Sequence, residues 1–234
     1  MKTKSLLFFM LISLLMEQNI LAQKEQLLND WANLNRYKEE NAKIGLPIEN
    51  ENRIVLMGNS ITEGWAQICP EFFSNRSYIN RGISGQTTPQ MLIRFRQDVV
   101  NLKPKVVVIL AGTNDIAGNT GPSTLEMIED NIASMTEIAK SNNIKVMLCS
   151  VLPAYDYPWK PGLNPAKKIV KLNTWIKNYC VENNLTYVDY FTSMADERNG
   201  LKKEYSEDGV HPNKAGYKVM MPIVEKAITK TLEK

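Results

Sequence analysis

Short apolar runs, rich in β-branched residues, recur along this chain and are separated by longer segments with helical spacing of their apolar positions. The runs are nearly continuous rather than alternating, which is typical of strands that are buried on both faces of a sheet. We predict five strands, at residues 53–57, 78–80, 106–110, 145–149 and 186–189.

Helical segments are predicted between and after these strands, at residues 89–102, 123–141, 165–182 and 213–232. An amphipathic helix at residues 24–41 precedes the first strand and is expected to pack on the outside of the domain. Strands that alternate with helices in this way predict an α/β protein, with a parallel sheet covered by helices on both faces.

The first 22 residues have the pattern of a secretory signal peptide. Two lysines precede an apolar run of roughly twelve residues, and Ala22 is a small residue suited to cleavage. We predict export to the periplasm or the cell exterior, cleavage after Ala22, no stable membrane insertion, and a single domain at residues 23–234. The alternative, a retained membrane anchor, would need about 20 apolar residues.

Charge and composition disfavour several classes of function. The net charge of +3 falls to +2 when Lys2, Lys4 and Glu17 leave with the signal peptide, and a nearly neutral chain does not favour nucleic-acid binding. The chain has one histidine, His211, and its three cysteines are far apart in sequence. Common zinc sites use several histidine or cysteine ligands, so we predict no metal site.

Polar segments that contain glycine follow the first three predicted strands, at residues 58–60, 82–88 and 112–115. Parallel α/β sheets bind their ligands beyond the carboxyl ends of the strands. We therefore expect these three segments to meet at one edge of the sheet.

Ser60 is the candidate nucleophile and His211 the candidate general base. An imidazole has an ordinary pKa of roughly 6.5, which suits it to accept a hydroxyl proton near neutral pH. Asp208, three residues before His211, can hold the imidazole by its Nδ1–H. Two alternative interpretations stay open, namely that Ser60 is only a helix cap and that Asp208 caps the last helix. Thr62 stands where a Gly-x-Ser-x-Gly motif needs glycine, which disfavours the α/β-hydrolase family.

Three groups are candidates for an oxyanion hole: the backbone N–H of Ser60, the backbone N–H of Gly85 and the side-chain amide of Asn114. The start of a helix favours negative charge, a glycine leaves its N–H open to a ligand, and an amide can donate to a developing oxyanion. Taken singly, Gly85 and Asn114 are equally typical of turns. Gly82, in the same segment as Gly85, is a competing candidate.

Four sequence blocks resemble those of the SGNH (GDSL) hydrolases of the exported bacterial type. They are Gly58-Asn59-Ser60-Ile61-Thr62-Glu63-Gly64-Trp65, Asn80-Arg81-Gly82-Ile83-Ser84-Gly85-Gln86-Thr87, Gly112-Thr113-Asn114-Asp115 and Asp208-Gly209-Val210-His211-Pro212. The resemblance implies a three-layer α/β/α, flavodoxin-like fold with a five-stranded parallel sheet, and ester substrates. It also implies a Ser60–His211–Asp208 mechanism without metal or cofactor, with an oxyanion hole from Ser60, Gly85 and Asn114.

One residue departs from the family pattern, because Asn59 stands where the family has aspartate. We expect this change to alter local hydrogen bonding more than activity, and we group Asn59 with the candidate substrate contacts.

The irregular loop at residues 152–164 carries Tyr155, Tyr157 and Trp159, flat side chains that can stack on a sugar ring. Exported relatives of this type often deacetylate carbohydrates, so we predict a small acyl ester as substrate, specifically an acetylated saccharide, with Tyr155 and Trp159 as contacts. Ordinary loop packing explains these aromatic residues equally well. Two other functions stay open: a lysophospholipase or other lipid-directed acylhydrolase, and a non-catalytic carbohydrate-binding protein on the same scaffold.

Overall fold

A computed structural model describes residues 30–74 and 77–233 of the chain. The predicted signal peptide, residues 1–22, and its cleavage point lie outside the described residues. Within the described ranges, no helix combines the length and the apolar character that a membrane span requires.

Five parallel strands form the central sheet: β1 (Ile54–Gly58), β2 (Tyr78–Gly82), β3 (Val106–Leu110), β4 (Lys145–Cys149) and β5 (Thr186–Val188). Their order is β2-β1-β3-β4-β5, and each neighbouring pair is parallel. This is the flavodoxin-like order, whose direction reverses between β1 and β3 and opens a crevice there for ligands. The predicted strands and fold class are confirmed.

Helices surround the sheet and are numbered in chain order as α1 (Lys38–Ile44), α2 (Ser60–Ile68), α3 (Glu71–Ser74), α4 (Thr88–Asp98), α5 (Thr113–Ala117), α6 (Leu125–Ser141), α7 (Ala166–Glu182), α8 (Phe191–Met194) and α9 (Lys214–Glu233). Short 3₁₀ turns occur at Val100–Leu102 and Lys203–Tyr205. The four helices predicted after β1 correspond to α4, α6, α7 and α9.

Two apolar clusters, one on each face of the sheet, make the three layers. Val107 of β3 belongs to the cluster that includes the buried residues of α4, α6 and α7. Its neighbour Val108 belongs to the cluster that includes the buried residues of α2 and α9. Successive side chains of a strand point to opposite faces, so an almost continuous apolar run fills both clusters at once.

The helix predicted at residues 24–41 is wrong at residues 31–37, which form turns, and is confirmed only from Lys38, where α1 begins. The Asp30 carboxylate accepts hydrogen bonds from the backbone N–H groups of Leu34, at 2.6 Å, and Asn35, at 2.9 Å. Asn33 has a φ of 55°, in the left-handed region. Short polar side chains compete in this way for the backbone groups that a helix would use.

Candidate active site

Ser60 is the first residue of α2, two residues beyond the end of β1. The Asn59 side chain caps this helix, accepting a hydrogen bond from the Ile61 N–H at 3.1 Å. The first N–H groups of a helix have no carbonyl partner within the helix, so the Ser60 N–H is available to an anion. The strand-to-helix turn thus places a hydroxyl and an anion-binding N–H on one residue.

Ser60, His211 and Asp208 form a continuous hydrogen-bonded chain. The Ser60 Oγ lies 2.9 Å from the His211 Nε2, and the His211 Nδ1 lies 2.6 Å from the Asp208 Oδ2. An ionised carboxylate can only accept, so Nδ1 carries the proton and Nε2 is left as the acceptor for the serine hydroxyl. This arrangement can take the proton from Ser60 as its oxygen attacks an electrophilic carbon.

The turn before α9 is built around the Asp208 carboxylate. Its Oδ1 accepts hydrogen bonds from the backbone N–H groups of Val210, at 2.9 Å, and His211, at 2.8 Å. Partial burial raises the pKa of Asp208, but the hydrogen bonds from His211 and Val210 outweigh burial and bring the pKa to about 2. Asp208 is therefore ionised at neutral pH, as a partner for the Nδ1–H must be.

Neighbouring asparagines supply the two helix caps that the alternative interpretations assigned to Ser60 and Asp208. Asn59 caps α2, and the Asn213 Oδ1 accepts from the N–H groups of Ala215 and Gly216 at the start of α9. The interpretation of Asp208 as the cap of the last helix is therefore wrong. Neither the Ser60 nor the Asp208 side chain caps a helix.

Gly85 is a better candidate than Gly82 for the second oxyanion donor. The Gly82 N–H donates to the Asn80 Oδ1 at 2.9 Å, and a Cβ at Gly82 would lie 2.1 Å from the Glu63 nitrogen. Gly82 thus allows β2 to approach α2 closely. Gly85 is exposed, with a φ of 76° in the region that favours glycine.

Asn114 lies in α5, after β3, and its side chain is almost fully buried. Its Nδ2 donates to the Gln86 carbonyl at 2.9 Å, and a second N–H remains on the same nitrogen for an oxyanion. The bond joins the segment after β3 to the segment that carries Gly85. Ser84, beside Gly85, donates its N–H to the Glu63 Oε2 in α2 at 2.9 Å, so the segments after all three strands are linked.

A buried arginine beneath these segments was missed by the sequence analysis. Arg94 in α4 donates to the Gly58 carbonyl at 3.0 Å, the Arg81 carbonyl at 2.9 Å and the Gln86 Oε1 at 2.5 Å. It also pairs with Asp98 at 3.0 Å. Arg94 therefore ties together the ends of β1 and β2 and the side chain of Gln86. In sequence, Arg94 and Asp98 have the spacing of an ordinary surface ion pair, so only their position among the buried residues of α4 hints at this role.

Asp115 was quoted as part of a motif, but its structural role was also missed. Its carboxylate accepts from the Thr88 N–H, at 2.9 and 3.1 Å, and from the Thr88 hydroxyl, at 2.6 Å. Burial raises the pKa of Asp115, and the bonds from Thr88 oppose that shift. Asp115 thereby anchors the start of α4, directly after the Gly85 segment.

The aromatic residues of the 152–164 loop have three different environments. Trp159 is 45% exposed, and its ring centroid lies 5.9 Å from that of His211. Tyr157 stacks against Trp159 at 5.1 Å but is fully buried, and its hydroxyl donates to the Thr113 carbonyl. Tyr155 is 50% exposed beneath the Arg198 guanidinium. Trp159 and Tyr155 are accessible, whereas Tyr157 supports Trp159 and is not free to stack on a sugar.

Asn59 does not suit the substrate contact proposed from the sequence. Its side chain is 1% exposed and is engaged in capping α2. Its amide oxygen accepts from a backbone N–H as an aspartate carboxylate would, so the helix cap survives the replacement of the family's aspartate.

At the carboxyl edge of a flavodoxin-like sheet, hydrogen bonds join a serine to a histidine and the histidine to a carboxylate, an arrangement that is typical of serine hydrolases. The chain belongs to the GDSL-like Lipase/Acylhydrolase family, whose model matches residues 56–219. The resemblance seen in the four sequence blocks is therefore confirmed.

Two solved structures and one curated relative are similar to this chain. A structure from Bacteroides fragilis NCTC 9343 is 50% identical, with a TM-score of 0.85, and the alignment covers 87% of this chain and 99% of that chain. A GDSL-like lipase from Bacteroides thetaiotaomicron VPI-5482 is 48% identical, with a TM-score of 0.84 and coverage of 86% and 99%. An acetylxylan esterase of Xylanibacter ruminicola is 27% identical over 241 residues, or 87% of this chain and 47% of the esterase.

This chain spans only part of the length of the first curated relatives that it matches. The matched regions account for 34%, 47% and 55% of the length of the first three of these relatives.

Proposed function

We propose that the protein is a serine esterase that hydrolyses small acyl esters, and that its substrates are acetylated saccharides. The observation that carries this proposal is the hydrogen-bonded chain from Ser60 through His211 to Asp208. The family assignment supports an ester as the substrate class, and the similarity to an acetylxylan esterase supports an acetyl group on a saccharide.

The reaction begins when the Ser60 Oγ attacks the ester carbonyl and His211 accepts the serine proton. The Ser60 N–H, the Gly85 N–H and the free N–H of Asn114 stabilise the tetrahedral oxyanion. His211 then protonates the leaving alcohol, and the acyl group remains on Ser60. Water, deprotonated by the same imidazole, attacks the acyl-enzyme and releases the acid.

Trp159 supports a sugar as the alcohol part of the ester. The leaving oxygen takes its proton from His211, so the alcohol lies beside that imidazole when the bond breaks. Trp159 is the exposed aromatic ring next to His211. Such a ring offers a flat apolar surface to the C–H face of a sugar, and an indole N–H can donate a hydrogen bond to a hydroxyl.

The surroundings of Asp208 disfavour a long acyl chain. A cavity of about 390 Å³ adjoins this residue, and its lining includes the charged side chains Asp156, Asp196, Arg198, Lys203 and Glu207. An alkyl chain placed there would strip water from charged groups without replacing their hydrogen bonds. Polar groups of a saccharide can replace them.

Chain-length selectivity is the first test of this function. The purified protein is expected to hydrolyse p-nitrophenyl acetate with a kcat/KM at least about tenfold above that for the octanoate, because a long alkyl chain would displace water from the charged side chains beside Asp208. It is also expected to release acetate from acetylated xylo-oligosaccharides. Nitrophenolate absorbance and released acetate are the two measurements. A preference for octanoate would favour the lipid-directed alternative, and saccharide binding without any turnover would favour the non-catalytic one.

Export belongs to the same proposal, with residues 1–22 as the signal peptide and residues 23–234 as one domain. The intact mass of the protein recovered from a bacterial host's periplasm or medium is expected to correspond to a chain that begins at Gln23. A mass that still includes residues 1–22 would contradict cleavage after Ala22.

A further inference from the structure

A segment before the region matched by the family model packs against the oxyanion side of the site. We call residues 30–44 the N-terminal strap. Three glutamine side chains donate to three strap carbonyl groups: Gln86 to Ala32 at 2.7 Å, Gln90 to Trp31 at 2.7 Å and Gln97 to Leu34 at 2.6 Å. Side chains of α4 and of the segment before it therefore hold three backbone carbonyl groups of the strap, and the strap side chains Tyr37 and Asn41 add hydrogen bonds to Gly82, Gln97 and Asp98.

Gln86 connects the strap directly to the proposed oxyanion hole. Its amide nitrogen donates to Ala32, its amide oxygen accepts from the Arg94 guanidinium, and its backbone carbonyl accepts from the Asn114 side chain. Gln86 also follows Gly85 in sequence. A group that binds between the strap and Gly85 therefore lies next to the atoms that are proposed to hold the oxyanion.

A cavity of about 500 Å³ opens between the strap and the Gly85 segment. Its lining includes Trp31 from the strap, Ser84 and Gly85 from the segment after β2, and Asn119 and Thr120 from the segment after α5. Asn119 donates its side-chain N–H to the Gly85 carbonyl at 3.2 Å, which joins two of these walls. The volume lies within the usual range of small-molecule sites, about 300–1,000 Å³.

The lining of this cavity suits a sugar ring better than an alkyl chain. Trp31 is 41% exposed and provides a large flat apolar surface. Around it stand hydroxyl and amide groups, from Ser84, Thr120, Asn33 and Asn119, which can donate to and accept from sugar hydroxyls. The side chains of Ser84, Thr120 and Asn119 each make one hydrogen bond within the protein and keep further donor or acceptor capacity. A sugar hydroxyl can use that capacity, whereas an alkyl chain cannot.

We propose that this cavity is a second saccharide subsite, which binds a sugar residue next to the one that carries the scissile acetyl group. Trp31 is then a specificity-determining residue that favours oligosaccharide over monosaccharide esters. The inference rests on the proposed function. The proposal places one sugar beside Trp159 and His211 and the next beside Trp31 and Gly85, on either side of Ser60.

The test compares Trp31→Ala with the wild type on p-nitrophenyl acetate, O-acetylated xylose and an O-acetylated xylo-oligosaccharide of four sugars. We expect kcat/KM for the oligosaccharide to fall about tenfold, mainly through KM, because an aromatic stacking surface is lost. The other two substrates should change far less, since neither reaches the subsite. Trp31→Phe keeps a flat ring and should retain most of the oligosaccharide activity.

Ile93→Ala is the matched control, because Ile93 is a 53% exposed apolar residue of α4 that does not line the cavity. It should behave as the wild type on all three substrates. An equal fall in kcat/KM for all three substrates in Trp31→Ala would indicate a structural role for Trp31. No fall for any substrate would refute the proposed subsite but would leave the proposed function unaffected. A wild type that cleaves p-nitrophenyl acetate but no acetylated saccharide would overturn the proposed substrate and the subsite together.

Discussion

Replacing Ser60 with alanine is expected to lower kcat for p-nitrophenyl acetate by about 10⁴-fold or more, because the variant lacks the nucleophile. The lost hydroxyl is the group 2.9 Å from the His211 Nε2. The Asn59 side chain still caps α2, so the fold and its thermal stability should not change appreciably. Initial rates of nitrophenolate release, with a thermal unfolding curve for each protein, measure both quantities.

Ser141→Ala is the control for this experiment. Ser141 is an exposed serine at the end of α6, and its hydroxyl bonds only to carbonyl groups of its own helix, those of Glu137 and Ile138. This variant should keep wild-type kinetics. A fully active Ser60→Ala protein would refute the mechanism, whatever the behaviour of the control.

Replacing His211 with alanine is expected to cost about as much as replacing Ser60, again about 10⁴-fold or more in kcat. Without the imidazole, nothing accepts the serine proton or returns it to the leaving alcohol. His211 is the only histidine of the chain, so no other imidazole of this protein can take over. The double variant should lose little more than either single variant, because the two groups act as one unit. Additive losses measured for nitrophenolate release would contradict a shared role.

Asp208→Asn is the graded variant of this series. Its amide can present an N–H to Nδ1 and favour the wrong tautomer, and we expect kcat to fall about 10²- to 10³-fold. This is less than for a buried triad carboxylate, because the Asp208 side chain is 39% exposed and water can partly replace it. Glu182→Gln, at the exposed end of α7, should keep full activity.

The same carboxylate also links stability to pH. The fold lowers the pKa of Asp208 from its ordinary 3.8 to about 2. Its contribution to stability is therefore present above about pH 4 and is lost as the pH falls toward 2. The wild type should lose more thermal stability in that interval than Asp208→Asn does.

The sheet was predictable because strands that are buried on both faces appear in the sequence as nearly continuous apolar runs. Every residue of β1 and β3 is buried, so polar residues are absent from both runs. The positions of Ser60 and Asn114 followed from the same pattern, since they lie two and four residues beyond the ends of these strands. The helix predicted at residues 24–41 was wrong at residues 31–37, because apolar spacing does not reveal that the Asp30 carboxylate accepts hydrogen bonds from backbone N–H groups there.

Side-chain environments were less predictable than strand positions. Tyr155, Tyr157 and Trp159 look alike in sequence, yet one lies under an arginine, one is buried against Thr113 and one adjoins His211. These differences arise from contacts between segments that are more than forty residues apart in sequence. Local sequence patterns therefore do not predict the environment of each ring.

The sequence alone determined the class of the fold, the order of its strands along the chain and the choice of Ser60, His211 and Asp208 as candidate residues. It could do so because periodicity and residue type are local properties. The tertiary structure decided which groups are free to act. In the folded chain, Asn59 caps α2 and Gly82 allows β2 to pack closely against α2. Ser60 and Gly85 therefore stay accessible. The tertiary structure also buried Arg94 beneath the site and brought Trp31 beside Gly85, since only the folded chain brings distant polar groups within hydrogen-bonding distance.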